Sequence, residues 1–188
     1  MQQIPEWFIF RERFIGAGML RLFKKILTTG IVTEPVKVPK DAELEHLGIA
    51  IKRHIDLKFT GSIAIRQIDA GSCNGCELEI HALNNPYYDI ERFGIHFVAS
   101  PRHADVLLVT GPVSRHMQTA LLRTYEATPD PKWVVAVGDC AACGGEFGVS
   151  YASCGAVSNV IPVDAVIAGC PPTPLALLQG LLSLCEKH

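Results

Sequence analysis

The sequence lacks any uninterrupted apolar run of about 18 residues, the length that a membrane-spanning helix requires. It also has little charge, since 19% of its 188 residues are charged and the formal net charge is −2. This balance gives no general case for nucleic-acid binding. The first residues, Met1-Gln-Gln-Ile-Pro-Glu, lack the basic start and the small-residue cleavage site of a secretory signal. We therefore expect no transmembrane span, no nucleic-acid partner and a reducing cytoplasmic environment.

Apolar residues and cysteines, in contrast, are plentiful. Hydrophobic residues make up 48% of the chain, which is high for a free soluble monomer and suggests apolar surface kept for partners. There are seven cysteines, an odd number, so they cannot all pair as disulfides within the chain. In a reducing compartment, grouped cysteines usually indicate metal or redox chemistry.

Residues 5–32 are predicted to form an amphipathic helix, because apolar residues recur there at helical spacing. The apolar stripe and the opposite basic face consist, respectively, of Ile15, Met19, Leu22 and Ile26, and of Arg13, Arg21, Lys24 and Lys25. This pattern suits a membrane surface or a groove on a membrane subunit, and the alternative is a helix packed on its own domain. Residues 33–60 contain two prolines and then a charged stretch, which predicts a linker and a short helix. We therefore divide the chain into an N-terminal part, 1–60, and a domain, 61–188.

From residue 62 onward, short apolar and β-branched runs alternate with helical segments. The predicted strands are Ile63–Ile68, Gly94–Val98, Val106–Thr110, Trp133–Val137 and Ala165–Ala168, and the predicted helices are Glu77–Leu83, Met117–Ala127 and Thr173–Glu186. Runs that are apolar on both faces are typical of buried parallel strands. The alternation predicts a three-layer α/β domain with a mostly parallel sheet.

Four cysteines each follow a predicted strand. Cys73 and Cys76 come after the first strand, Cys140 after the fourth and Cys170 after the fifth. Because ligands bind beyond the carboxyl ends of parallel strands, these cysteines are expected at one edge of the sheet. Four thiolates gathered there can hold a metal ion or an iron–sulfur cluster.

The spacing alone leaves the kind of metal site open. Cys140-Ala-Ala-Cys143 is a second C-x-x-C pair, and two such pairs are also the pattern of a zinc site. We expect Cys154 and Cys185 to be small buried hydrophobic residues. Glycines flank the grouped cysteines and permit close approach of the backbone.

The residues that surround the cysteines are more specific to one family than the cysteine spacing is. The segments that carry the resemblance occur in this order: Gly71-Ser-Cys-Asn-Gly-Cys-Glu-Leu-Glu, Tyr88-Asp-Ile-Glu-Arg-Phe-Gly, Ser100-Pro-Arg-His-Ala-Asp-Val-Leu-Leu-Val-Thr-Gly-Pro-Val, Pro129-Asp-Pro-Lys, Gly138-Asp-Cys, Pro162-Val-Asp and Gly169-Cys-Pro-Pro-Thr-Pro. Together they resemble the small subunit of membrane-bound, energy-converting NiFe hydrogenases of the formate hydrogenlyase and hydrogenase-4 type. The wider family includes the 20-kDa subunit of respiratory complex I. The resemblance covers roughly residues 62–187.

The resemblance implies a flavodoxin-like domain that holds one 4Fe–4S cluster close to the NiFe centre of a large subunit. Carried over by motif, the ligands are Cys73, Cys76, Cys140 and Cys170, and Cys143 falls where relatives commonly have a non-ligand. The complex I subunit has adjacent cysteines at its first ligand position, whereas this chain has Cys-Asn-Gly-Cys, the hydrogenase form. The implied function is electron relay between the NiFe site and ferredoxin-like iron–sulfur subunits.

The resemblance also implies partners and a location. The expected partners are the hydrogenase large subunit, a ferredoxin-like iron–sulfur subunit and membrane subunits reached through the N-terminal helix, at the cytoplasmic face of the membrane. Glu77 or Glu79 is a candidate for proton transfer at the large-subunit interface, and the alternative is a carboxylate favoured by the start of a helix. Two other functions stay open: a complex I-like, quinone-linked subunit and a zinc-stabilised interaction module.

Overall fold

A computed structural model describes residues 19–30, 41–59 and 61–187. Residues 19–29 are helical and are called α1 here. The other helices of four residues or more with α geometry are α2 Ala42–Lys58, α3 Gly75–Ala82, α4 Arg115–Ala127, α5 Asp139–Cys143 and α6 Pro174–Lys187. The strands are β1 Ile63–Asp69, β2 Ile95–Phe97, β3 Val106–Thr110, β4 Trp133–Val137 and β5 Ala165–Ile167.

The five strands form one parallel sheet in the order β2-β1-β3-β4-β5. This is the strand order of flavodoxin-like doubly wound folds, in which binding sites lie beyond the carboxyl ends of the strands. The predicted α/β class with a mostly parallel sheet is therefore confirmed. The order itself follows from contacts between distant segments, so it could not be predicted from local patterns.

Alternating residues of the central strands face two separate hydrophobic layers. In β3, Val106 and Leu108 pack in the layer that contains residues of α2, α3 and α6, whereas Leu107 and Val109 pack in the other layer. Every residue of β3 is buried, as expected for a central strand covered on both faces. The sheet is thus the middle of three layers.

Helix α2 belongs to this α/β unit. The Asp41 side chain caps it by accepting from the amides of Glu43 and Leu44, and its buried residues include Ile51 and Ile55, both 0% exposed. Residues Lys40–His188 form one compact unit, and residues 1–39 belong to another. The sequence analysis put the boundary between the N-terminal part and the domain at residues 60 and 61. It did so because charged residues alternate with the apolar residues of α2, so that the buried side of this helix is not apparent from the sequence.

Helix α1 is strongly apolar at its surface. Its exposed side chains include Met19, Leu22 and Ile26 of the predicted stripe, at 52–57% exposure. The remaining residues of the predicted helix, 5–18 and 31–32, lie outside the described residues. Within the described ranges, no helix combines the length and the apolar character needed to cross a membrane.

The helices of the α/β unit lie close to their predicted positions. Helix α6 begins at Pro174, where proline is favoured because the first turn of a helix has no partner for its N–H. Pro171 and Pro172 belong to the loop after Cys170. The short helix α5 was not predicted, because five residues are too few for a helical period.

Candidate metal centre

The four predicted cysteines meet at the carboxyl edge of the sheet. Cys73 lies in the loop after β1, Cys76 in the first turn of α3, Cys140 in α5 after β4, and Cys170 in the loop after β5. All four line one cavity of about 170 Å³. The fold therefore gathers residues that are as far as 97 positions apart in the chain, from 73 to 170.

The loop that carries Cys73 is held by a local hydrogen-bond network. The Asp69 Oδ1 atom at the end of β1 accepts from the amides of Gly71 and Ser72, at 2.8 Å each. The Ser72 hydroxyl in turn accepts from the Asn74 amide at 3.1 Å. Turns of this kind are typical of Asp and Ser, whose short side chains reach backbone groups two residues ahead. They fix the path of the chain from the end of β1 to Asn74, the segment that carries Cys73.

Asp139 ties the other two cysteines together. Its Oδ1 atom accepts from the Gly169 amide at 2.9 Å, and its own amide donates to the Gly169 carbonyl at 3.0 Å. Because Cys140 and Cys170 directly follow these two residues, the paired bonds hold their backbones side by side. Gly138-Asp-Cys was recognised as a motif, but this role of its aspartate was not predicted.

Two glycines let the backbone approach the sulfur atoms. A Cβ atom on Gly138 would lie 2.7 Å from the Cys76 sulfur, and one on Gly145 would lie 2.8 Å from the Cys140 sulfur. Real Cβ atoms essentially never come so close, so a side chain at either position would displace the thiol. Both glycines also have positive φ, at 86° and 53°, where other residues are strained.

The thiols perturb one another electrostatically. Burial, followed by the negative charges of Glu77 and the other three cysteines of the cavity, raises the pKa of Cys76 to about 11. Burial raises the pKa of Cys140 as well, with further contributions from Cys170 and Cys73. Four thiolates would repel one another here without a cation, and a positively charged iron group favours their deprotonated form.

The donor set fits a 4Fe–4S cluster, which four cysteine thiolates hold. One water molecule needs only about 10–15 Å³ of such space, so the 170 Å³ cavity has room for a group of several atoms. Gly75, Gly111 and Gly169 also line it, so backbone surrounds the thiols closely. Among the described residues, no three His, Cys, Asp or Glu side chains are close enough together to hold a single metal ion.

The remaining cysteines lie outside the cavity lining. Cys143 is exposed, and its thiol donates to the Asp139 carbonyl at 3.2 Å. Cys154 and Cys185 are buried, at 7% and 3% exposure, and each packs in a hydrophobic cluster of the core. Their predicted role as small buried hydrophobic residues is confirmed.

The two candidate glutamates have different surroundings. Glu77 is 5% exposed, and neither of its carboxylate oxygens has a hydrogen-bond partner in the part of the chain that the structure describes. Glu79 is only half-buried. The structure thus separates two residues that the sequence could not distinguish: Glu77 carries a desolvated carboxylate directly after a cavity cysteine.

The polar loop before β3 lies at the amino ends of the strands, opposite the end of the sheet that carries the cysteines. Arg102 and His103 are exposed there, whereas the Asp105 carboxylate accepts from the Ala64 amide at 2.8 Å. Asp105 therefore joins the beginnings of two strands, at the opposite ends of the strands from the cysteines.

Comparison with known proteins places this arrangement in a family. The family model described as NADH ubiquinone oxidoreductase, 20 Kd subunit, matches residues 73–184, a range that contains all four cavity cysteines. Formate hydrogenlyase subunit 7 of Escherichia coli (strain K12) is 43% identical over 153 residues, which cover 80% of this chain and 60% of the relative. The probable membrane-bound hydrogenase subunit mbhJ of Pyrococcus furiosus is 47% identical over 131 residues, covering 69% of this chain and 78% of the relative.

Other relatives belong to quinone-linked complexes. An NADH-quinone oxidoreductase subunit of Herpetosiphon aurantiacus is 50% identical over 113 residues, covering 60% of this chain and 63% of the relative. The chain therefore spans 60% of the length of formate hydrogenlyase subunit 7 and 63% of the length of the Herpetosiphon aurantiacus relative.

Two solved structures resemble the fold. A chain of the membrane-bound sulfane sulfur reductase, an archaeal respiratory membrane complex, aligns with a TM-score of 0.59 and 40% identity over 66% of this chain and 69% of its own length. An NAD⁺-reducing [NiFe]-hydrogenase in the H2-reduced state aligns with a TM-score of 0.52 and 19% identity over 68% of this chain and 93% of its own length. At that identity, the second likeness concerns the fold alone.

The fold and the cysteine site define a cysteine-rich α/β subunit of the type found in redox complexes. The chain belongs to the family of the 20 Kd subunit of NADH ubiquinone oxidoreductase, which its match over residues 73–184 establishes. The resemblance to membrane-bound hydrogenase small subunits, predicted from the motifs, is confirmed by the relatives from Escherichia coli and Pyrococcus furiosus.

Proposed function

We propose that this protein is the electron-transfer small subunit of a membrane-bound NiFe hydrogenase complex. Cys73, Cys76, Cys140 and Cys170 would hold one 4Fe–4S cluster, which accepts and returns one electron at a time. The observation that carries the proposal is that these four thiols line one cavity at the carboxyl edge of the sheet. Hydrogen chemistry, 2 H⁺ + 2 e⁻ ⇌ H₂, belongs to the NiFe centre of the large subunit, so this chain is not catalytic alone.

The residues around the cavity support electron relay in two ways. Cys76 and Cys140 are partly withdrawn from water, which lowers the local dielectric and strengthens every charge interaction with the site. The paired hydrogen bonds between Asp139 and Gly169 keep two ligand loops at a fixed separation. A rigid ligand set limits rearrangement when the charge of the site changes, and outer contacts of this kind adjust the redox potential.

We propose Glu77 as the proton-transfer residue at the interface with the large subunit, in preference to Glu79. Its carboxylate is buried directly after Cys76 and has no hydrogen-bond partner in the described residues, so no donor of this part of the chain already holds it. A buried carboxylate without a hydrogen-bond partner is costly, so a rearrangement in the assembled complex that gives it one is favourable.

Exposed apolar side chains on two ligand-bearing segments support the large-subunit partner. Phe147, Val149 and Tyr151 are 65%, 71% and 97% exposed in the loop after α5, which carries Cys140, and Leu78 is 62% exposed in α3, which carries Cys76. Exposed apolar surface of this kind is typical of protein–protein interfaces. Electrons would continue to a ferredoxin-like iron–sulfur subunit.

The surface of α1 supports attachment to membrane subunits at the cytoplasmic face. Its apolar side chains include Leu20 and Leu27, at 75% and 82% exposure, and Arg21, Lys24 and Lys25 supply positive charge. A helix with apolar and basic faces suits the interface of a membrane or of a membrane subunit. The proposed location is therefore peripheral, within a membrane-bound complex.

Metal analysis and activity of the purified complex test the proposal together. We expect about four iron atoms and four acid-labile sulfides for this chain beyond those of its partners, and hydrogen-dependent reduction of a viologen dye. Zinc bound to this chain without sulfide would support the zinc-stabilised module and overturn the relay.

A complex I-like, quinone-linked subunit is the second candidate. The relative from Herpetosiphon aurantiacus, an NADH-quinone oxidoreductase subunit that is 50% identical over 113 residues, favours it. Against it stands Cys73-Asn-Gly-Cys76, because the complex I form has adjacent cysteines at the first ligand position. Quinone reduction by NADH without any hydrogen-dependent dye reduction would establish this second function in place of the first.

A further inference from the structure

We propose that α1 binds directly to the lipid surface of a membrane that contains anionic phospholipids, with its apolar side in the lipid and its basic side at the headgroups. The helix spans residues 19–29, and every residue from 19 to 30 is exposed. The inference rests on the proposed function for the membrane location, and it names lipid as the partner of this helix. A groove on a membrane subunit is the competing occupant.

Helix α1 is formed by local interactions. Leucine, lysine and arginine, which are good helix formers, make up more than half of residues 19–29. The Thr28 hydroxyl donates to the Lys24 carbonyl at 2.8 Å, and the Gly30 amide donates to the Ile26 carbonyl at 3.2 Å. Gly30 has a φ of 63°, the left-handed geometry in which helices commonly end. Because these bonds lie within the segment, its outer surface is available to a partner.

The apolar and polar side chains of α1 lie on separate sides of the helix. At about 100° per residue, six apolar side chains occupy an arc of about 160°, and no polar residue of the helix falls within it. These residues, called the apolar strip here, are 52–82% exposed and are Met19, Leu20, Leu22, Phe23, Ile26 and Leu27. The remaining surface is formed by Arg21, Lys24, Lys25, Thr28 and Thr29. A contiguous exposed apolar strip along the whole helix marks an interaction surface.

The charge of α1 is of one sign. Arg21, Lys24 and Lys25 are its charged residues, and residues 19–30 contain no aspartate or glutamate. At the same angular spacing, the two lysines lie on either side of the helix, near the margins of the apolar strip, and Arg21 lies opposite the strip. Lysines at such margins can lay their aliphatic stems on apolar surface and keep the ammonium group among headgroups. This is the arrangement of helices that lie in a membrane interface.

Charge complementarity favours a lipid surface over a protein groove. If the apolar strip filled a groove, Arg21 on the opposite side would point away from it, beyond the reach of short-range ion pairs. The negative potential of an anionic membrane extends over a Debye length of about 8–10 Å, which is comparable to the diameter of a helix. All three cations therefore contribute to binding at a membrane surface.

The position of the charges also sets the orientation of α1. Over residues 19–29 the helix measures about 16 Å, whereas the hydrocarbon core is about 30 Å thick. Charged residues in the middle of the helix would be costly inside that core, so the helix lies along the membrane. Residues 61–188 contain more acidic than basic side chains. An anionic surface therefore attracts α1 and does not attract the α/β domain as a whole.

Flotation of the full chain with protein-free vesicles tests the proposal. We expect the chain to float with vesicles of phosphatidylcholine that contain about one-third phosphatidylglycerol, and to bind phosphatidylcholine vesicles at least about tenfold more weakly. Raising the salt concentration from about 0.1 M to about 1 M should remove this preference, because the Debye length falls from about 10 Å to about 3 Å. Aggregated protein sinks in the same gradient, so flotation reports binding to lipid.

Two matched triple variants separate α1 from the other basic residues. The first carries Arg21→Gln, Lys24→Gln and Lys25→Gln. It should bind the anionic vesicles roughly a hundredfold more weakly, at about fivefold for each charge. The second removes the same charge from exposed positions of the α/β domain and carries Arg102→Gln, Arg115→Gln and Arg123→Gln. It should bind as the unaltered chain does.

A further pair of variants tests insertion of the apolar strip. Leu20→Ser combined with Phe23→Ser should weaken binding at least about tenfold, because less apolar surface then enters the lipid. Thr28→Ala, on the polar side of the same helix, should leave binding unchanged. Both sets of residues are exposed, so these changes do not disturb the core.

Several results would overturn the proposal. They are the absence of flotation with anionic vesicles, equal binding to both kinds of vesicle, and equal loss in the two triple variants. Flotation that requires membrane subunits of the complex in the vesicles would assign α1 to a groove on such a subunit instead. Hydrogen-dependent dye reduction by the detergent-solubilised complex tests the proposed function independently. Dye reduction without lipid binding removes only the role of lipid, whereas lipid binding without dye reduction removes only the hydrogenase function.

Discussion

Gly138 and Cys76 meet at the cavity, where a Cβ atom on the glycine would lie 2.7 Å from the cysteine sulfur. Gly138 directly follows β4 and Cys76 lies in the first turn of α3, so this contact joins two ligand-bearing segments that are separate in sequence. The φ angle of Gly138 is 86°, in the region that glycine alone adopts without strain. Any side chain at position 138 would therefore displace the Cys76 thiol.

Gly138→Ala should reduce the iron and sulfide content of the protein. A backbone with φ 86° and ψ 161° costs about 1–3 kcal/mol for alanine, and overpacking against the sulfur adds about 1–3 kcal/mol. Gly148→Ala is the matched control, since its φ is 50° and nothing lies within 4 Å of the added Cβ atom. Iron and acid-labile sulfide per chain measure the effect. Equal loss in both variants would mean that backbone strain, and not contact with Cys76, decides it.

Cys170→Ser should abolish the iron–sulfur cluster, whereas Cys143→Ser should leave it intact. Cys170 lines the cavity together with the other three cysteines, and Cys143 is exposed outside the lining. The low-temperature electron paramagnetic resonance signal of the reduced complex reports the cluster directly. Cys154→Ser is a further control, because that residue is buried in the core away from the cavity. If Cys143→Ser removes the signal and Cys170→Ser does not, the ligand set is wrong.

Local pattern was sufficient for the strands. The predicted and observed bounds of β3 and β4 agree at both ends, because Val106–Thr110 and Trp133–Val137 are almost entirely apolar and are followed by glycine. For β2, the prediction Gly94–Val98 exceeds Ile95–Phe97 by one residue at each end. Ends of this kind depend on a partner strand, which local sequence does not identify.

The site needed long-range contacts that no local pattern encodes. The sequence placed four cysteines at one edge, yet the bond from the Gly169 amide to Asp139 joins residues that are 30 apart. Likewise, Glu77 and Glu79 both adjoin apolar residues in the sequence, so local pattern does not distinguish them. Only the packing of α3 in the folded chain shows that Glu77 is the buried one.

Glu77→Gln should lower hydrogen turnover by about a hundredfold, the usual contribution of a residue that transfers protons, while leaving the cluster signal unchanged. The amide keeps the size of the side chain but cannot carry the proton. Glu79→Gln, two residues later and half-buried, is the matched control and should retain near-normal turnover. Proton–deuterium exchange by the purified complex measures the step with no external electron carrier. A normal exchange rate in Glu77→Gln would remove this residue from the proton path.

Asp105 and Asp164 hold the beginnings of strands in the same manner. Asp105 donates its amide to the Ala64 carbonyl and accepts the Ala64 amide on Oδ2, both at 2.8 Å. Asp164 repeats this with Val134, at 2.9 Å for the backbone bond and 2.7 Å for the carboxylate bond. Each carboxylate therefore satisfies a backbone N–H at the amino end of a neighbouring strand.

Asp105→Ala should lower the free energy of unfolding by about 1.5–3 kcal/mol, since it removes a hydrogen bond to a charged acceptor and leaves the Ala64 amide unpaired. Asp105→Asn should lose less, because its amide oxygen can still accept. His103→Ala, in the same loop but exposed, should change stability by less than about 0.5 kcal/mol. Urea unfolding of the full chain, followed by circular dichroism, measures all three. Because this end of the sheet lies opposite the cysteines, a change in cluster potential without a change in stability would contradict a purely structural role for Asp105.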